Sequence, residues 1–335
     1  MVRGSSCFFV DSLMHWSRSA QNYTHLLVIM DILFFVIPIL MLLMFSLGID
    51  LRPGDFYRVI RSPGAAVIGL TGQLVGLPLI AGLIALLLNL PPLLAVGLVL
   101  LAACPGGSSS NAFTMLARGD VALSVSLTTI TSVVTTLTIP FIVNWATGFW
   151  MGAEAGLRLA LGPVLGQNAL TILLPIGLGM LLRAQASSLA DRISPFLRKA
   201  ALPLLLVMIS VFIIQQRDVL ALGATTIALA AFLLIFLTMS LGLFLGWIAR
   251  LKEASRRTIL IEVGMQNVAQ AMAISTSPFL MADAAYAIPA VFYAVVMNLV
   301  LLSYLAWLAF RNAKSSRAGL GQVRAGSLLG IWAHY

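Results

Sequence analysis

Long apolar runs alternate along the chain with short polar stretches, and most of these runs are 20 residues long or more. A helix needs about 20 apolar residues to cross about 30 Å of hydrocarbon, because its backbone polar groups must be satisfied within the segment. The pattern predicts an all-α polytopic membrane protein with about nine spans, at 26–49, 63–88, 92–117, 121–148, 159–182, 200–216, 219–248, 258–280 and 287–310.

The composition supports this prediction. Of the 335 residues, 60% are hydrophobic and 9% are charged, and the mean hydropathy is +1.03. Soluble domains are about 45–50% apolar and about 25% charged. The deficit of charge excludes a disordered chain, a nucleic-acid-binding protein and a cytosolic enzyme, so we expect membrane lipid as a partner and no nucleic acid.

The positive charges indicate an orientation. With nine spans, sixteen of the twenty Lys and Arg residues fall on one side and four on the other. Positive loops stay in the cytoplasm, which predicts a multi-pass protein of the plasma (cell inner) membrane with its N-terminus outside. Residues 1–25 would be an extracytoplasmic segment and residues 311–335 a cytoplasmic tail.

Two of the predicted spans carry helix breakers at mid-depth. The third contains CPGGSSSN from Cys104 to Asn111, and the eighth contains EVGMQN from Glu262 to Asn267. Proline removes a backbone donor, and we expect the glycines to permit unwound dihedrals, so both helices should open there. The two spans run in opposite directions, as an inverted repeat requires. Paired interrupted helices indicate a transporter binding site.

The polar residues near these breaks suggest what they bind. Ten of the eleven acidic residues fall in loops, tails or near a span end, whereas Glu262 sits within an apolar run. A charge at the span centre costs about 2.5–3.5 kcal/mol. The fourth span carries a stripe of four hydroxyl residues at helical spacing, Ser124, Thr128, Thr131 and Thr135. Ser124 and Thr128 could supply oxygen ligands to a hard cation, while helix packing explains such a stripe equally well. Free carbonyls at half-helix ends suit cations, and free amides suit anions.

The motif CPGGSSSNAFTMLARGDVALSVSLTTITSV, followed at long range by RRTILIEVGMQN, resembles the bile acid:sodium symporter family. The similarity extends from about residue 30 to residue 310. It implies an inverted-repeat transporter with two crossing broken helices in a core domain, against which a panel domain moves. By this resemblance, 26–49 and 159–216 form the panel, and 63–148 and 219–310 form the two halves of the core.

The resemblance also implies site residues, and each position carries a residue of a type able to bind a sodium ion or the organic anion. One sodium site would comprise Ser110, Asn111, Ser124, Thr128 and Glu262. The second would comprise Gln73, Glu262, Val263, Met265 and Gln266, with Val263 and Met265 acting through their backbone carbonyls. The organic anion would contact Ser108, Ser109 and Asn267.

The chain is expected to be a prokaryotic-type member, yet it differs from the ten-helix pattern of many bacterial members. By the resemblance, it is expected to lack the first helix of that pattern, as nine-helix animal members do. This difference leaves the helix count, the panel and any homodimer contact open.

The resulting hypothesis is sodium-coupled symport of an organic anion, such as a bile-acid-like steroid conjugate or a small carboxylate. Two sodium ions would be the coupling ions, with no other cofactor and no enzymatic activity. Proton coupling through Glu262 is the nearest alternative. An intramembrane serine hydrolase is disfavoured, because the apolar body of the chain contains no histidine and no span contains a lysine.

Overall fold

The computed structural model describes residues 36–52, 54, 63–107, 109–152, 161–215, 217–277, 281 and 283–332. Within these ranges the chain forms helices and no β-strand. The helices are α1 (Val36–Asp50), α2 (Pro63–Leu87), α3 (Pro92–Ala103), α4 (Ser110–Leu116), α5 (Val121–Met151), α6 (Gly162–Gln185), α7 (Ser187–Gln215), α8 (Arg217–Ile248), α9 (Glu253–Gly264), α10 (Val268–Thr276) and α11 (Ile288–Trp332).

The predicted all-α polytopic membrane architecture is confirmed. Five helices are long and apolar enough to cross a membrane: α2, α5, α6, α8 from Thr225, and the segment Ala284–Arg311 that includes most of the apolar part of α11. The predicted third and eighth spans are each divided into two short helices, and the predicted first span begins outside the described residues. The count of nine spans therefore stays a prediction.

Two predicted boundaries differ from the structure. The sixth span was predicted from residue 200, but α7 begins at Ser187 and continues through Pro195 and Pro203. Helix α11 continues to Trp332, through most of the predicted tail. In both cases hydropathy marks where a helix becomes apolar, whereas the helix itself includes polar residues beyond its apolar part.

Helices α1 and α6 contact each other through glycines. A Cβ atom added at Gly48 would lie 2.2 Å from the Ile176 carbonyl oxygen, and one added at Gly179 would lie 2.4 Å from the Phe45 carbonyl oxygen. Only glycine permits backbones to approach this closely, as is common between membrane helices. These two helices are therefore held at backbone contact.

Polar contacts join the first part of α7 to helices α1 and α6. The Arg183 side chain donates from Nε to the Ile49 carbonyl oxygen at 2.7 Å and pairs with Asp191 at 2.5 Å. The Ser194 hydroxyl donates to Asp50 Oδ1 at 2.6 Å. The hydrogen bond from Arg183 lowers the pKa of the exposed Asp191 carboxyl. Helices α1, α6 and α7 thus form one connected group.

The remaining helices pack around the two divided spans. Helix α8 packs along α9 and α11, and α3 packs against α2 and α5. Close approaches again occur at glycines: a Cβ atom at Gly242 of α8 would lie 3.0 Å from the Ile259 carbonyl oxygen of α9. One at Gly72 of α2 would lie 3.0 Å from the Val263 side chain. This packing fixes α9 between α2 and α8.

Candidate site at the crossing of two broken helices

Both predicted helix breaks are present, and they meet. Helix α3 ends at Ala103 and α4 begins at Ser110, while α9 ends at Gly264 and α10 begins at Val268. Gly106 in the first break forms an antiparallel bridge with Gln266 in the second. The sequence predicted where the helices open, and the structure places the two openings against each other.

The two breaks satisfy each other's backbone groups. Gly107 N–H donates to the Met265 carbonyl oxygen at 3.1 Å, and Asn267 N–H donates to the Pro105 carbonyl oxygen at 2.9 Å. Unpaired backbone groups at this depth would be costly, because no water is available in hydrocarbon. The crossing is therefore a short piece of antiparallel pairing inside a helical protein.

The first break is unwound, as expected, and its glycines also provide space. Among the described glycines only Gly152 has a positive φ. A Cβ atom at Gly106 would lie 2.9 Å from Glu262 Oε2 and 3.0 Å from Gln73 Nε2. One at Gly107 would lie 3.0 Å from the Gln266 carbonyl oxygen. These glycines let a carboxylate and an amide approach the backbone closely.

The Glu262 carboxylate is completely buried at this crossing, with 0% of the residue exposed. Its Oε1 accepts hydrogen bonds from the hydroxyls of Ser110, at 2.6 Å, and Ser124. Its Oε2 accepts a hydrogen bond from Thr128 Oγ1 at 2.9 Å. Three hydroxyls from α4 and α5 thus surround a carboxylate from α9.

Asn111 completes this oxygen cluster. Its side-chain carbonyl Oδ1 lies 2.8 Å from Ser124 Oγ, and Ser110 Oγ lies 3.3 Å from Thr128 Oγ1. All five residues predicted for the first sodium site are therefore adjacent. The cluster offers a carboxylate, an amide carbonyl and hydroxyl oxygens, which are ligands that suit a hard cation.

The hydroxyl stripe of the fourth span divides into two parts. Ser124 and Thr128 reach Glu262, whereas the Thr131 hydroxyl donates to the Thr128 carbonyl oxygen at 3.1 Å. The Thr135 hydroxyl likewise donates to the Ser132 carbonyl oxygen, at 3.5 Å. One part of the stripe therefore contacts the Glu262 carboxylate, and the other part hydrogen-bonds to the backbone of its own helix. That Ser124 and Thr128 bind a cation stays a prediction.

The residues predicted for the second sodium site lie around the same crossing. Gln73 is buried in the π-helical turn Gly72–Gly76 of α2, with neither amide atom hydrogen-bonded among the described residues. Gln266 Nε2 donates to the Val263 carbonyl oxygen at 3.3 Å, and its Oε1 has no partner in the described chain. The Met265 carbonyl accepts from Gly107, as noted above. A carbonyl oxygen has two lone pairs, so both backbone carbonyls retain capacity for an ion.

The structure describes two of the three residues predicted to contact the organic anion. Ser108 lies outside the described residues. Ser109 precedes α4 and is half-buried. Asn267 is buried, and its Oδ1 accepts from the backbone N–H of Gln270 at 3.1 Å, which caps α10. Its Nδ2 has no hydrogen-bond partner among the described residues and is a free donor at a helix N-terminus.

Two supporting contacts were not predicted from the sequence. The Tyr293 hydroxyl of α11 donates to the Gly264 carbonyl oxygen at 2.7 Å, just where α9 ends. Thr258 of α9 accepts from the Asp120 N–H at 2.7 Å and donates to the Asp120 carbonyl oxygen at 3.1 Å. Nothing in a lone tyrosine or threonine of an apolar run signals such a partner, because each contact joins distant parts of the chain.

The sequence is similar to those of known transporters over most of its length. Residues 37–222 match the sequence profile described as "Sodium Bile acid symporter family". The chain is 30% identical over 294 residues to the "Uncharacterized sodium-dependent transporter YocS" of Bacillus subtilis (strain 168), covering 83% of this chain and 84% of that protein. A match over so much of the chain includes both helix breaks.

Two further relatives are longer than this chain. The "Probable sodium/metabolite cotransporter BASS1, chloroplastic" of Arabidopsis thaliana is 31% identical over 70% of this chain and 57% of its own length. The human "Sodium/bile acid cotransporter 4" is 32% identical over 72% of this chain and 55% of its own length. The chain thus spans little more than half of these two proteins. The family profile and the match to the bacterial relative, together with the paired breaks, show that this multi-pass membrane protein belongs to the sodium bile acid symporter family.

Proposed function

We propose that the protein is a sodium-coupled symporter of an organic anion, with its ion sites at the crossing of α3–α4 and α9–α10. The observation that carries this proposal is the buried Glu262 carboxylate among the hydroxyls of Ser110, Ser124 and Thr128. A buried carboxylate needs a compensating charge or strong hydrogen bonds. A sodium ion would supply the charge, and each hydroxyl would then present its oxygen to the ion.

Glu262 would also couple the two ion sites. Gln73 Nε2 and Glu262 Oε2 lie 3.0 Å and 2.9 Å from the position that a Cβ atom at Gly106 would take. A second ion beside Gln73 would therefore share this carboxylate. Met265 and Gln266 lie in the break that begins three residues after Glu262, and Val263 lies in the last turn of α9. An ion bound there would hold the second break in one geometry, and with it the free amide of Asn267. Ion binding would thereby prepare the site for the anion.

The driving force is sufficient for accumulation. A tenfold sodium gradient supplies about 1.4 kcal/mol per ion, and about 100 mV supplies about 2.3 kcal/mol per charge. Two ions and one monoanion move one net positive charge inward, so the total is about 5 kcal/mol. This free energy corresponds to more than about a thousandfold accumulation of the anion.

We further propose that α1, α6 and α7 act as the moving panel. Their glycine contacts and the Arg183 hydrogen bonds support a single body. We place this function in the plasma membrane with the N-terminus outside, on the charge distribution of the loops.

The test is uptake into proteoliposomes under an imposed sodium gradient. Radiolabelled taurocholate and a set of small carboxylates serve as probes, with choline replacing sodium as the control. We expect uptake that requires sodium and increases with an inside-negative potential. Uptake that continues unchanged in choline contradicts the proposal, and uptake driven by a pH jump without sodium would establish proton coupling instead.

A further inference from the structure

Gln270 is a buried amide to which the sequence motifs assign no role. It lies in the first turn of α10, and 0% of the residue is exposed. Its backbone N–H is capped by Asn267 Oδ1, but neither Nε2 nor Oε1 of its side chain has a hydrogen-bond partner among the described residues. Leaving both atoms of an amide unpaired in the interior is unfavourable, which indicates that this amide serves a ligand.

The position of Gln270 on α10 shows which neighbour it faces. Ala273 and Ser277 follow it at helical spacing, so the three lie along one side of the helix. That side meets α6: Gln167 Nε2 donates to the Ala273 carbonyl oxygen at 3.2 Å, and Ser277 Oγ donates to Gln167 Oε1 at 2.6 Å. Gln270 therefore lies between the crossing and the contact with α6, one helical turn beyond Asn267.

The two helices at this contact carry polar but no charged side chains there. Helix α10 contains no acidic or basic residue, and α6 contains none before Arg183. Between these two helices, recognition relies on hydrogen bonds from neutral groups. Asn267 Nδ2 is one free donor, and the Gln270 amide adds both a donor and an acceptor one turn away.

We infer that Gln270 is a specificity-determining residue that binds a second oxygen function on the transported anion. This inference rests on the proposed function. The anion's carboxylate would meet Asn267 and the N-terminus of α10, and a hydroxyl or keto oxygen a few carbons away would pair with the Gln270 amide. The preferred substrate class is a short oxygenated carboxylate. An apolar body placed against this amide would leave both of its atoms unpaired, and sites built to hydrogen-bond a substrate reject analogues that lack the group.

The experiment compares two acids that differ by one hydroxyl, β-hydroxybutyrate and butyrate. Sodium-dependent uptake of each is measured for the wild-type protein, for Gln270→Met and for Gln270→Asn. Methionine keeps the length of the side chain without its amide, and asparagine keeps the amide on a shorter stem. The matched control is Thr276→Val on the same helix, because the buried Thr276 hydroxyl already donates to the Met272 carbonyl oxygen.

We expect the wild-type protein to prefer β-hydroxybutyrate by about tenfold or more, and Gln270→Met to reduce this preference to about twofold or less. Gln270→Asn should give an intermediate preference, and Thr276→Val should keep the wild-type value. Stabilisation of each purified variant by sodium chloride over choline chloride is measured in parallel, which shows that the variants fold and bind the coupling ion.

A preference that survives in Gln270→Met overturns the inference. So does a wild-type protein that does not distinguish the two acids, or one whose uptake of β-hydroxybutyrate is weaker than its uptake of taurocholate. In these cases sodium-dependent stabilisation and transport remain, so the proposed function stands. Loss of sodium dependence in the wild-type protein contradicts the proposed function itself.

Discussion

The crossing of the broken helices and the contact between α1 and α6 are both places where glycines bring distant segments together, but they are built differently. At the crossing, Gly106 makes room for the polar side chains of Glu262 and Gln73, while Gly107 makes room for the Gln266 carbonyl oxygen. Between α1 and α6, Gly48 and Gly179 make room for backbone alone. Hydroxyls and amides can exchange one partner for another, whereas a backbone contact has no alternative partner. The difference suggests that the first region responds to ligands and the second holds a body together.

The largest expected effect comes from removing the charge at the crossing. Glu262→Gln keeps the shape of the side chain and retains groups that can hydrogen-bond the surrounding hydroxyls. It removes the negative charge that would attract the ion, and losing one partner of a buried charge pair costs about 2–5 kcal/mol. We expect sodium affinity to fall at least about thirtyfold, measured as stabilisation of the purified protein across a sodium chloride titration. Undiminished affinity would show that the ion binds elsewhere.

The comparison is next tested at the α1–α6 contact, where a matched pair of glycines is available. Gly179→Ala places a methyl group 2.4 Å from the Phe45 carbonyl oxygen, while a Cβ atom at Gly177 on the same helix meets nothing within 4 Å. Overpacking costs about 1–3 kcal/mol. We expect Gly179→Ala to lower the melting temperature clearly and Gly177→Ala to leave it nearly unchanged.

In the folded fraction of Gly179→Ala, the sodium affinity should equal that of the wild-type protein. Equal melting temperatures for the two alanine variants would refute the view of this contact as a rigid backbone seam. A specific loss of sodium binding in Gly179→Ala would show that the two regions are not separable.

A smaller effect is expected from one hydroxyl of the oxygen cluster. Thr128→Val removes the hydrogen bond to Glu262 Oε2, whereas Thr136→Val, two turns along α5, removes a hydroxyl that donates only to the Ser132 carbonyl oxygen among the described residues. In the ion-bound protein the Thr128 hydroxyl would present its oxygen to sodium, and valine has no such oxygen. Sodium affinity should therefore fall about tenfold in Thr128→Val, which is about 1.4 kcal/mol, and hardly change in Thr136→Val. The same loss in both variants would assign the effect to helix packing.

How far the sequence predicted the molecule depends on whether the signal is local. Pro105 with the two glycines that follow it, and the polar glycine-containing stretch of the eighth span, are local signals for an interrupted helix, so the two breaks were predictable to within a few residues. The burial of Glu262 was also predictable, because a carboxylate in a membrane-spanning segment is unfavourable in lipid and faces the protein interior.

The contacts between distant segments were not predictable in the same way. The hydrogen bond from Tyr293 to Gly264 and the unpaired amide of Gln270 depend on how helices pack, which no spacing in the sequence records. The start of α7 at Ser187 was missed because its first residues are polar and are held by contacts with α1 and α6 instead of by lipid. The anion site was reached through family resemblance, and within it the structure adds Gln270.

The smallest expected effect compares two exposed ion pairs, one from each region. Arg183–Asp191 joins α6 to α7, whereas Arg257–Glu253 lies within α9. In each pair the hydrogen bond from arginine lowers the pKa of the carboxyl, so the stabilisation is present at neutral pH and is lost as the pH falls through the lowered value. We expect Asp191→Asn to lower the melting temperature slightly at pH 7. The difference from the wild-type protein should disappear well below the ordinary Asp pKa of 3.8.

Glu253→Gln should have a still smaller effect at any pH, because its pair closes one helical turn and holds no second helix. Exposed pairs are also screened by salt, so both differences should shrink at high ionic strength. At the start of α9, Arg257 also donates to the Ala117 carbonyl oxygen at 2.8 Å. If Glu253→Gln lowers the melting temperature more than Asp191→Asn does, the start of α9 is the more rigid of the two regions. That result would reverse the comparison, because the crossing would then be anchored and the α1–α6–α7 group would be the part that yields.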